Sequence, residues 1–282
     1  MYDYLITGAT GFVGSNIIKN FSSKKIVVIT RKKNFKLNSK LLKIIYIKEP
    51  SDLFSKLKKI KVKTVIHSAT HYVKSHKKKD IKNIHNANLV LGNIILEMSK
   101  ELEFKKFINI STIWEINYFK SKNYQNLYSL SKKIFSLILN FYFQNKSKFK
   151  YYNLYLSDTF GYNDKRKKIL NEIKKKLKVN KKIKIISSKL KMNFLNIKDL
   201  MNALELIDTK NNIKSGNYLI TNNKNYSIKK IIKTYNLKNK KKIKYSFLGS
   251  KKISTLIPKI SKLPKWKIRY SSINHIVNFL KI

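Results

Sequence analysis

The first half of the chain alternates short apolar runs with longer stretches in which apolar residues recur at helical spacing. The apolar runs predict strands at residues 4–7, 26–30, 44–47, 64–68, 106–111 and 151–156. The periodic stretches between them predict helices at residues 14–21, 51–59, 81–101 and 125–145. Strands separated by helices of this length favour an α/β fold, a doubly wound parallel sheet with helices on both faces.

Beyond about Gly161 the alternation loosens. A Lys-rich helix is predicted at residues 165–177, with short strands at residues 183–186, 218–221 and 243–247. We therefore expect two domains: residues 1–160 as the larger, nucleotide-binding one and residues 161–282 as a smaller α/β substrate-binding region interleaved with it. Because ligands of doubly wound sheets bind outside the carboxyl ends of the strands, we expect the smaller region to close a substrate cleft.

Three of the seven glycines fall within seven residues, between the first predicted strand and the first predicted helix. In that context a glycine loop holds the pyrophosphate of a dinucleotide, with the N–H groups of the helix N-terminus facing the anion. The alternative is a glycine turn without a ligand. We predict a Rossmann-type cofactor loop that includes Gly8, Thr10, Gly11, Phe12, Val13 and Gly14.

The residue about 20 positions after such a loop contacts the adenosine ribose, and an Arg nearby suits a 2′-phosphate. Here the second predicted strand runs into Thr30-Arg31-Lys32-Lys33, without an acid. Arg31 therefore favours NADP(H), with NAD(H) as the alternative. Against this, any surface position of so basic a chain has a high chance of being basic.

The candidate catalytic groups follow the fifth predicted strand. Thr112 ends that strand, and Tyr128 and Lys132 lie four residues apart on the next predicted helix. This spacing places the phenol and the ammonium on one helical face, where the cation lowers the phenol pKa. Tyr128 can then transfer a proton while hydride moves between substrate and nicotinamide, and Lys132 can bind the nicotinamide ribose. The hydroxyl of Thr112 either orients the substrate or merely caps a turn.

Composition excludes several classes of protein. Hydrophobic residues make up 43% of the chain, which excludes disorder. No apolar run approaches the roughly 20 residues that span a bilayer, and the N-terminus lacks a basic signal-peptide region. Cysteine is absent, so thiolate chemistry is excluded, and no metal site is indicated. We expect a cytoplasmic protein.

The net charge is extreme, with 63 Lys and Arg against 14 Asp and Glu, or +49. Such a charge suits nucleic acid or a membrane surface. However, the lysines are spread along the whole chain, and abundant Lys, Asn and Ile are typical of an AT-rich genome. We expect neither a dedicated nucleic-acid partner nor a membrane, although an anionic nucleotide substrate would be attracted.

These motifs together resemble the extended short-chain dehydrogenase/reductase family, the NAD(P)-dependent epimerase/dehydratase group that acts on nucleotide sugars. The resemblance implies that Thr112, Tyr128 and Lys132 are catalytic and that Ser68 and Ala69 lie beside the cofactor. Further segments that resemble family signatures are residues 8–14, 67–70, 154–161, 193–200 and 263–271.

The chain departs from the family pattern on the substrate side. Asp158 replaces the usual Asn that contacts substrate, and the run Ile113-Trp114-Glu115-Ile116-Asn117 lacks the usual Tyr-Gly. A dehydratase of this family would carry an Asp-Glu pair directly after Thr112, where Ile113 and Trp114 stand.

The short segment between Thr112 and Tyr128, together with residues 69–72 and Arg31, is similar to the abequose-synthase type of reductase. This similarity implies reduction of a 4-keto-deoxysugar nucleotide, with Tyr128 as the general acid. A 4-epimerase of the same family and an inert, RNA-binding Rossmann protein are the alternatives. The apolar helices at residues 81–101 and 134–143 suit a homodimer interface or simple core burial.

Overall fold

The computed structural model describes residues 1–37, 39–116, 126–145 and 149–281. Asn117 of the run after Thr112 and Gln125 at the start of a predicted helix lie outside these residues. The chain divides into two compact units, which are described separately. The first unit comprises Met1–Tyr155 and Asn212–Leu219, and the second comprises Leu156–Asn211 and Ile220–Ile282.

In the described residues the strands are β1 Tyr2–Thr7, β2 Ile26–Thr30, β3 Leu42–Tyr46, β4 Val62–His67, β5 Lys106–Thr112, β6 Lys150–Leu156, β7 Asp158–Phe160, β8 Ile183–Ile185, β9 Leu190–Met192, β10 Phe194–Asn196, β11 Gly216–Ile220, β12 Tyr226–Ser227, β13 Tyr245–Phe247 and β14 Ile253–Ser254. The α-helices there are α1 Phe12–Asn20, α2 Leu53–Lys56, α3 Asp80–His85, α4 Leu91–Glu97, α5 Ser99–Leu102, α6 Leu127–Asn145, α7 Ile169–Lys178, α8 Ile197–Thr209, α9 Ile228–Lys238 and α10 Ile273–Leu280.

A seven-stranded sheet of order β11-β6-β5-β4-β1-β2-β3 is the core of the fold. The pairings from β3 through β2, β1 and β4 to β5 are parallel. All five residues of β2 are buried, as expected for a strand covered on both faces. The strand order reverses between β1 and β4, so the predicted doubly wound, Rossmann-type sheet is confirmed. The strand predicted at residues 218–221 lies elsewhere than expected: it is β11, at the edge of this sheet.

The long helix predicted at residues 81–101 is broken into α3, a π-helical segment at Asn86–Val90, α4 and α5. Asn88 lies buried within the π segment. Its side-chain oxygen accepts from the Thr70 hydroxyl and the His71 N–H, and its amide donates to Ser131 Oγ at 2.8 Å. These bonds attach the π segment to α6 and to the chain that follows β4.

Helix α6 packs on the sheet through Phe135, Leu139 and Tyr142, which recur at helical spacing and are buried. The ring of Phe135 lies 4.9 Å from that of His67 on β4. A Cβ at Gly92 of α4 would stand 2.4 Å from the Phe135 ring, so this glycine permits the close approach of the two helices.

The second unit holds small sheets, β10 with β7, β13 with β8, and β12-β9-β14. The helix predicted at residues 165–177 begins only at Ile169. Arg166 is held in the preceding loop, because its guanidinium donates to Asp164 Oδ1 at 2.7 Å and to the Thr159 carbonyl at 2.9 Å. No helix in the described part of the chain is long and apolar enough to cross a membrane.

Asp199, in the first turn of α8, is fully buried and fastens the C-terminal segment. Its carboxylate accepts from the backbone N–H groups of Arg269 and Tyr270 and from the Ser271 hydroxyl. Its carbonyl accepts from Trp266 Nε1 at 2.9 Å. The two segments that resemble family signatures at residues 193–200 and 263–271 therefore hold each other in place.

Candidate active site

The glycine loop connects β1 to α1. Gly8 has φ of +74°, and a Cβ there would stand 2.6 Å from the Ala69 nitrogen. A Cβ at Gly14, in the first turn of α1, would stand 2.2 Å from the Gly8 carbonyl oxygen. The loop, the chain after β4 and the helix therefore approach too closely for side chains at these two positions.

The N-terminus of α1 opens directly from this loop. Gly11 is the N-cap, with extended backbone and no side chain to cap the helix, and its N–H donates to the Gly8 carbonyl at 3.0 Å. The first turn of an α-helix leaves its N–H groups without acceptors inside the helix, and in α1 this turn begins at Phe12. Thr10 is exposed on the loop. This arrangement suits an anion such as a pyrophosphate.

Thr7, at the end of β1, fastens the chain that follows β4. Its Oγ1 accepts from the N–H groups of Ser68 and Ala69 at 3.2 and 3.1 Å, and Ser68 Oγ donates to the Thr7 carbonyl at 2.7 Å. The structure therefore brings Ser68 and Ala69 beside the glycine loop. Thr7 had no predicted role, although a hydroxyl residue at the end of the first strand was visible in the sequence.

The Thr7 hydroxyl also determines which ring nitrogen of His67 carries the proton. Thr7 Oγ1 lies 3.0 Å from His67 Nδ1, and because this oxygen already accepts two N–H groups, its proton is donated to Nδ1. Burial, with a smaller effect of the Lys132 charge, lowers the His67 pKa to about 3. His67 is therefore neutral near pH 7, with its proton on Nε2.

Arg31 is the first residue after β2 and lies exposed. Its Nη1 donates to Asn83 Oδ1 at 3.1 Å, which attaches the guanidinium to α3. The end of β2 itself is Thr30, whose hydroxyl accepts from the Lys32 N–H at 3.0 Å.

Thr112 is the last residue of β5 and is buried. Its Oγ1 accepts from the Trp114 N–H at 3.3 Å, and so caps the 3-10 turn Ile113–Glu115. The capping alternative is thus present in the structure. It leaves the hydroxyl proton available to donate, because the oxygen acts as acceptor toward Trp114.

Tyr128 and Lys132 lie in the first two turns of α6. The half-buried ring of Tyr128 meets the Tyr72 ring edge-on, with centroids 5.0 Å apart. Lys132 is only 1% exposed, and its Nζ has no hydrogen-bond partner among the residues that the structure describes. Burial lowers the Lys132 pKa to about 8, while the charge of Glu115 opposes this shift.

Glu115 is the residue that the sequence interpretation missed, since it was noted only as part of a departure from the family pattern. It is fully buried and accepts hydrogen bonds from the hydroxyls of Ser111 and Ser136. Ser111 precedes Thr112, and Ser136 lies one turn beyond Lys132. Glu115 thus connects the end of β5 with the face of α6 that carries Lys132.

Asp158 lies in the second unit, on β7. Its Oδ1 accepts from Lys168 Nζ at 2.9 Å, while its buried Oδ2 has no partner within the described residues. Asp158, Lys168 and Asp164 are among the residues that line a small cavity in the second unit.

Known proteins share both the sequence pattern and the fold. Residues 4–221 match the model of the NAD dependent epimerase/dehydratase family. The CDP-abequose synthase of Salmonella muenchen is 25% identical over 76% of this chain and 72% of that protein. That of Yersinia pseudotuberculosis is 27% identical over 74% of each chain.

Two solved structures show the similarity of fold. MoeE5 in complex with UDP-glucose and NAD has a TM-score of 0.79 at 14% identity, covering 99% of this chain and 97% of that one. The UDP-glucuronic acid 4-epimerase from Bacillus cereus, in complex with UDP-glucuronic acid and NAD, has a TM-score of 0.77 at 19% identity, covering 99% and 98%.

Proposed function

Because the chain belongs to the NAD dependent epimerase/dehydratase family, we propose that it reduces the 4-keto group of a nucleotide-activated deoxysugar. The observation that carries this proposal is the buried Lys132 amine on the helix face of Tyr128, which has no hydrogen-bond partner among the described residues. The similarity to two CDP-abequose synthases supports this substrate class. Ile113 and Trp114, where a dehydratase would carry acids, argue against dehydration.

The residues present fit a nicotinamide dinucleotide. The glycine loop leaves no room for a Cβ at Gly8 or Gly14, as a backbone cradle for a pyrophosphate requires, and the Lys132 amine lacks an acceptor in the described structure. Residues 8–14 would hold the pyrophosphate, Ser68 and Ala69 would line the site, and Lys132 would bind the ribose. When bound, the dinucleotide supplies the hydride. Arg31, with no acid at the end of β2, supports a preference for NADP(H).

The roles of the catalytic residues in the proposed reduction follow from their chemistry. Tyr128 donates its proton to the developing alkoxide of the substrate. The Lys132 ammonium stabilises the phenolate that remains. Thr112 donates a hydrogen bond from its hydroxyl to the keto oxygen and keeps its proton, while the Trp114 N–H holds the Thr112 oxygen in place. Asp158, with one carboxylate oxygen on Lys168 and the other without a partner among the described residues, would accept a hydrogen bond from the substrate.

A set of nucleotide 4-keto-sugars incubated with NADPH or NADH tests this function. We expect stoichiometric oxidation of NADPH, followed by absorbance, with at least one of them. A 4-epimerase would interconvert nucleotide sugars without a net absorbance change. Epimer formation without net oxidation would therefore replace the proposed reduction by epimerisation.

We further propose that the chain forms a homodimer through the outer face of α6. Ile134, Leu137 and Phe141 recur there at helical spacing and are 37%, 57% and 50% exposed. Apolar stripes of this kind mark interaction surfaces. Light scattering should give twice the chain mass for the wild type and the chain mass for Leu137→Lys. A wild-type monomer would contradict the proposal.

A further inference from the structure

Glu115 is a carboxylate enclosed between the end of β5 and α6. It is fully buried, and Ser136 Oγ donates to its Oε1 at 2.6 Å while Ser111 Oγ donates to its Oε2. These two serines adjoin the proposed catalytic groups, one preceding Thr112 and the other following Lys132 by one turn. The carboxylate is therefore fixed with respect to both elements that carry those groups.

The groups behind Ser136 are all neutral. Asn153 Nδ2 donates to Ser136 Oγ at 3.0 Å and to Asn217 Oδ1 at 3.1 Å, and Asn109 donates to Asn153 Oδ1 at 2.8 Å. This network orients the serine but supplies no positive charge. A buried carboxylate without a compensating cation is costly, so a cation close by is required to keep it ionised.

Lys132 is that cation. Its amine is fully buried and has no hydrogen-bond partner in the part of the chain that is described. Burial raises the Glu115 pKa to about 7 and lowers that of Lys132, and the charge of each residue opposes the shift of the other. The carboxylate and the ammonium therefore stabilise each other's ionised forms across the site.

We propose that Glu115 is a positioning residue for Tyr128 and Lys132. Its carboxylate keeps the buried Lys132 amine in the ammonium form, in which the amine stabilises the Tyr128 phenolate. The catalytic part of this inference, the effect on the Tyr128 phenolate, rests on the proposed function. The dependence of the Lys132 charge on Glu115 is independent of the proposed function.

Other titratable groups lie on α6 or on the elements around it: His67, Glu97, Lys133, Tyr142 and Tyr155. His67 is neutral, and burial raises the pKa values of Tyr142 and Tyr155, so neither phenol is charged near pH 7. Glu97 accepts from the Tyr142 hydroxyl, two turns or more from Lys132. Lys133 is a second cation whose charge lowers the pKa of the Glu115 carboxyl, and its effect ranks below that of Lys132. Among the described residues Glu115 is thus the buried anion that acts on Lys132.

The direct test follows the ionisation of Lys132 itself. The full-length protein is labelled with [ε-13C]lysine, and Lys132→Arg identifies the Lys132 NMR signal. The substitution Glu115→Gln keeps the size and the acceptor oxygen but removes the charge. We expect the Lys132 titration midpoint to fall by about one pH unit or more in this variant. Glu103→Gln, which removes an exposed carboxylate paired with Lys61, should leave the midpoint unchanged.

An unchanged Lys132 midpoint in Glu115→Gln overturns the proposal. If that variant does not fold, Ser136→Ala provides the second test, because loss of one donor raises the Glu115 pKa and should lower the Lys132 midpoint by a smaller amount. If the Lys132 titration midpoint in Ser136→Ala equals that of the wild type, the proposal is likewise rejected.

Activity then separates this proposal from the proposed function. With a reducible nucleotide sugar, Glu115→Gln should move the alkaline limb of kcat/KM to lower pH by the same shift, with KM little changed. A moved Lys132 midpoint with no reduction of any nucleotide 4-keto-sugar would overturn the proposed function and support the charge relation. Reduction with an unmoved alkaline limb would refute the positioning role.

Discussion

Burial of an amine such as that of Lys132 costs free energy unless other groups compensate it. In the first unit the compensation is incomplete, because Glu115 acts through its charge while Nζ lacks a hydrogen-bond acceptor among the described residues. A ligand hydroxyl and the Tyr128 phenolate are groups that would complete it. The lowered pKa of this buried amine therefore supports the proposed position of the active site.

Tyr128→Phe removes the proposed proton donor and keeps the ring. We expect turnover to fall by about a hundredfold or more, the contribution typical of general acid catalysis. Dinucleotide affinity and the unfolding midpoint should stay near wild-type values, because the ring contact with Tyr72 remains. Tyr162→Phe, at a residue 79% exposed, is the matched control. Wild-type turnover in Tyr128→Phe would refute the assigned role.

Arg31→Asp tests the choice of dinucleotide. An acid after β2 accepts hydrogen bonds from a ribose 2′-hydroxyl and repels a 2′-phosphate. We expect the ratio of NADPH to NADH affinity, measured by fluorescence titration, to fall by about tenfold or more, equivalent to roughly 1.4 kcal/mol. Lys33→Asp makes the same charge change two residues away. Equal effects of the two substitutions would show that net charge, rather than Arg31, sets the preference.

Motif residues were accessible from the sequence because their identity and order carry the chemistry, as with Gly8, Thr112 and Tyr128. Glu115 was not, since its importance lies in burial and in contacts with Ser111 and Ser136. A single acid between Trp114 and Ile116 does not by itself show which side chains will enclose it. Thr7 was missed for the same reason: the three polar contacts of its hydroxyl join β1 to the end of β4 and the residues after it, far apart in sequence.

At the scale of elements, the closeness of α1 to β1 depends on Gly14. A Cβ there would stand 2.2 Å from the Gly8 carbonyl oxygen, so Gly14→Ala must displace the helix or the loop. We expect a loss of stability of about 1–3 kcal/mol by denaturant unfolding and weaker dinucleotide binding. Gly249→Ala, where the nearest atom is 3.7 Å away, should change neither. Unaltered binding in Gly14→Ala would argue against the cradle.

Asp199 offers a second test at this scale. Two backbone N–H groups and the Ser271 hydroxyl all donate to its carboxylate, so an amide NH2 in Asp199→Asn would face a donor. We expect a loss of about 1–3 kcal/mol in unfolding free energy, the cost of an unmatched buried polar group. Wild-type stability of the Asp199→Asn variant would show that the carboxylate does not hold the C-terminal segment in place.

Periodicity predicted where most elements of the first unit lie, because one face of each helix is buried on the sheet. It could not reveal the π segment at Asn86–Val90, because the buried Ile84, Ala87, Leu91 and Ile94 stand three or four residues apart, as they would in a regular α-helix. Nor could it show that residues 165–168 are a loop, since Arg166 is held there by Asp164 and the Thr159 carbonyl rather than by helical bonds.

At the scale of the whole molecule, the alternation of strands and helices predicted the parallel sheet, and the glycine loop fixed its first strand. The position of β11 at the edge of this sheet could be seen only in the structure. Its pairing with β6 joins residues about sixty positions apart, and nothing local in the sequence distinguishes it from the short strands of the second unit.

The net charge of +49 predicts how the stability of the protein depends on salt. With 63 basic and 14 acidic residues, most cations have no acid to pair with, so self-repulsion should exceed the attraction of ion pairs such as Lys63 with Asp3. Raising NaCl from about 0.01 M to about 0.15 M shortens the Debye length from about 30 Å to about 8 Å and screens that repulsion. We expect the unfolding midpoint at pH 7 to rise by several degrees, because roughly 1 kcal/mol moves Tm by about 2–4 °C in a chain of this size. A neutral osmolyte at equal osmolality controls for solvent exclusion. A midpoint that falls with salt would mean that ion pairs, rather than repulsion, dominate the electrostatics of the fold.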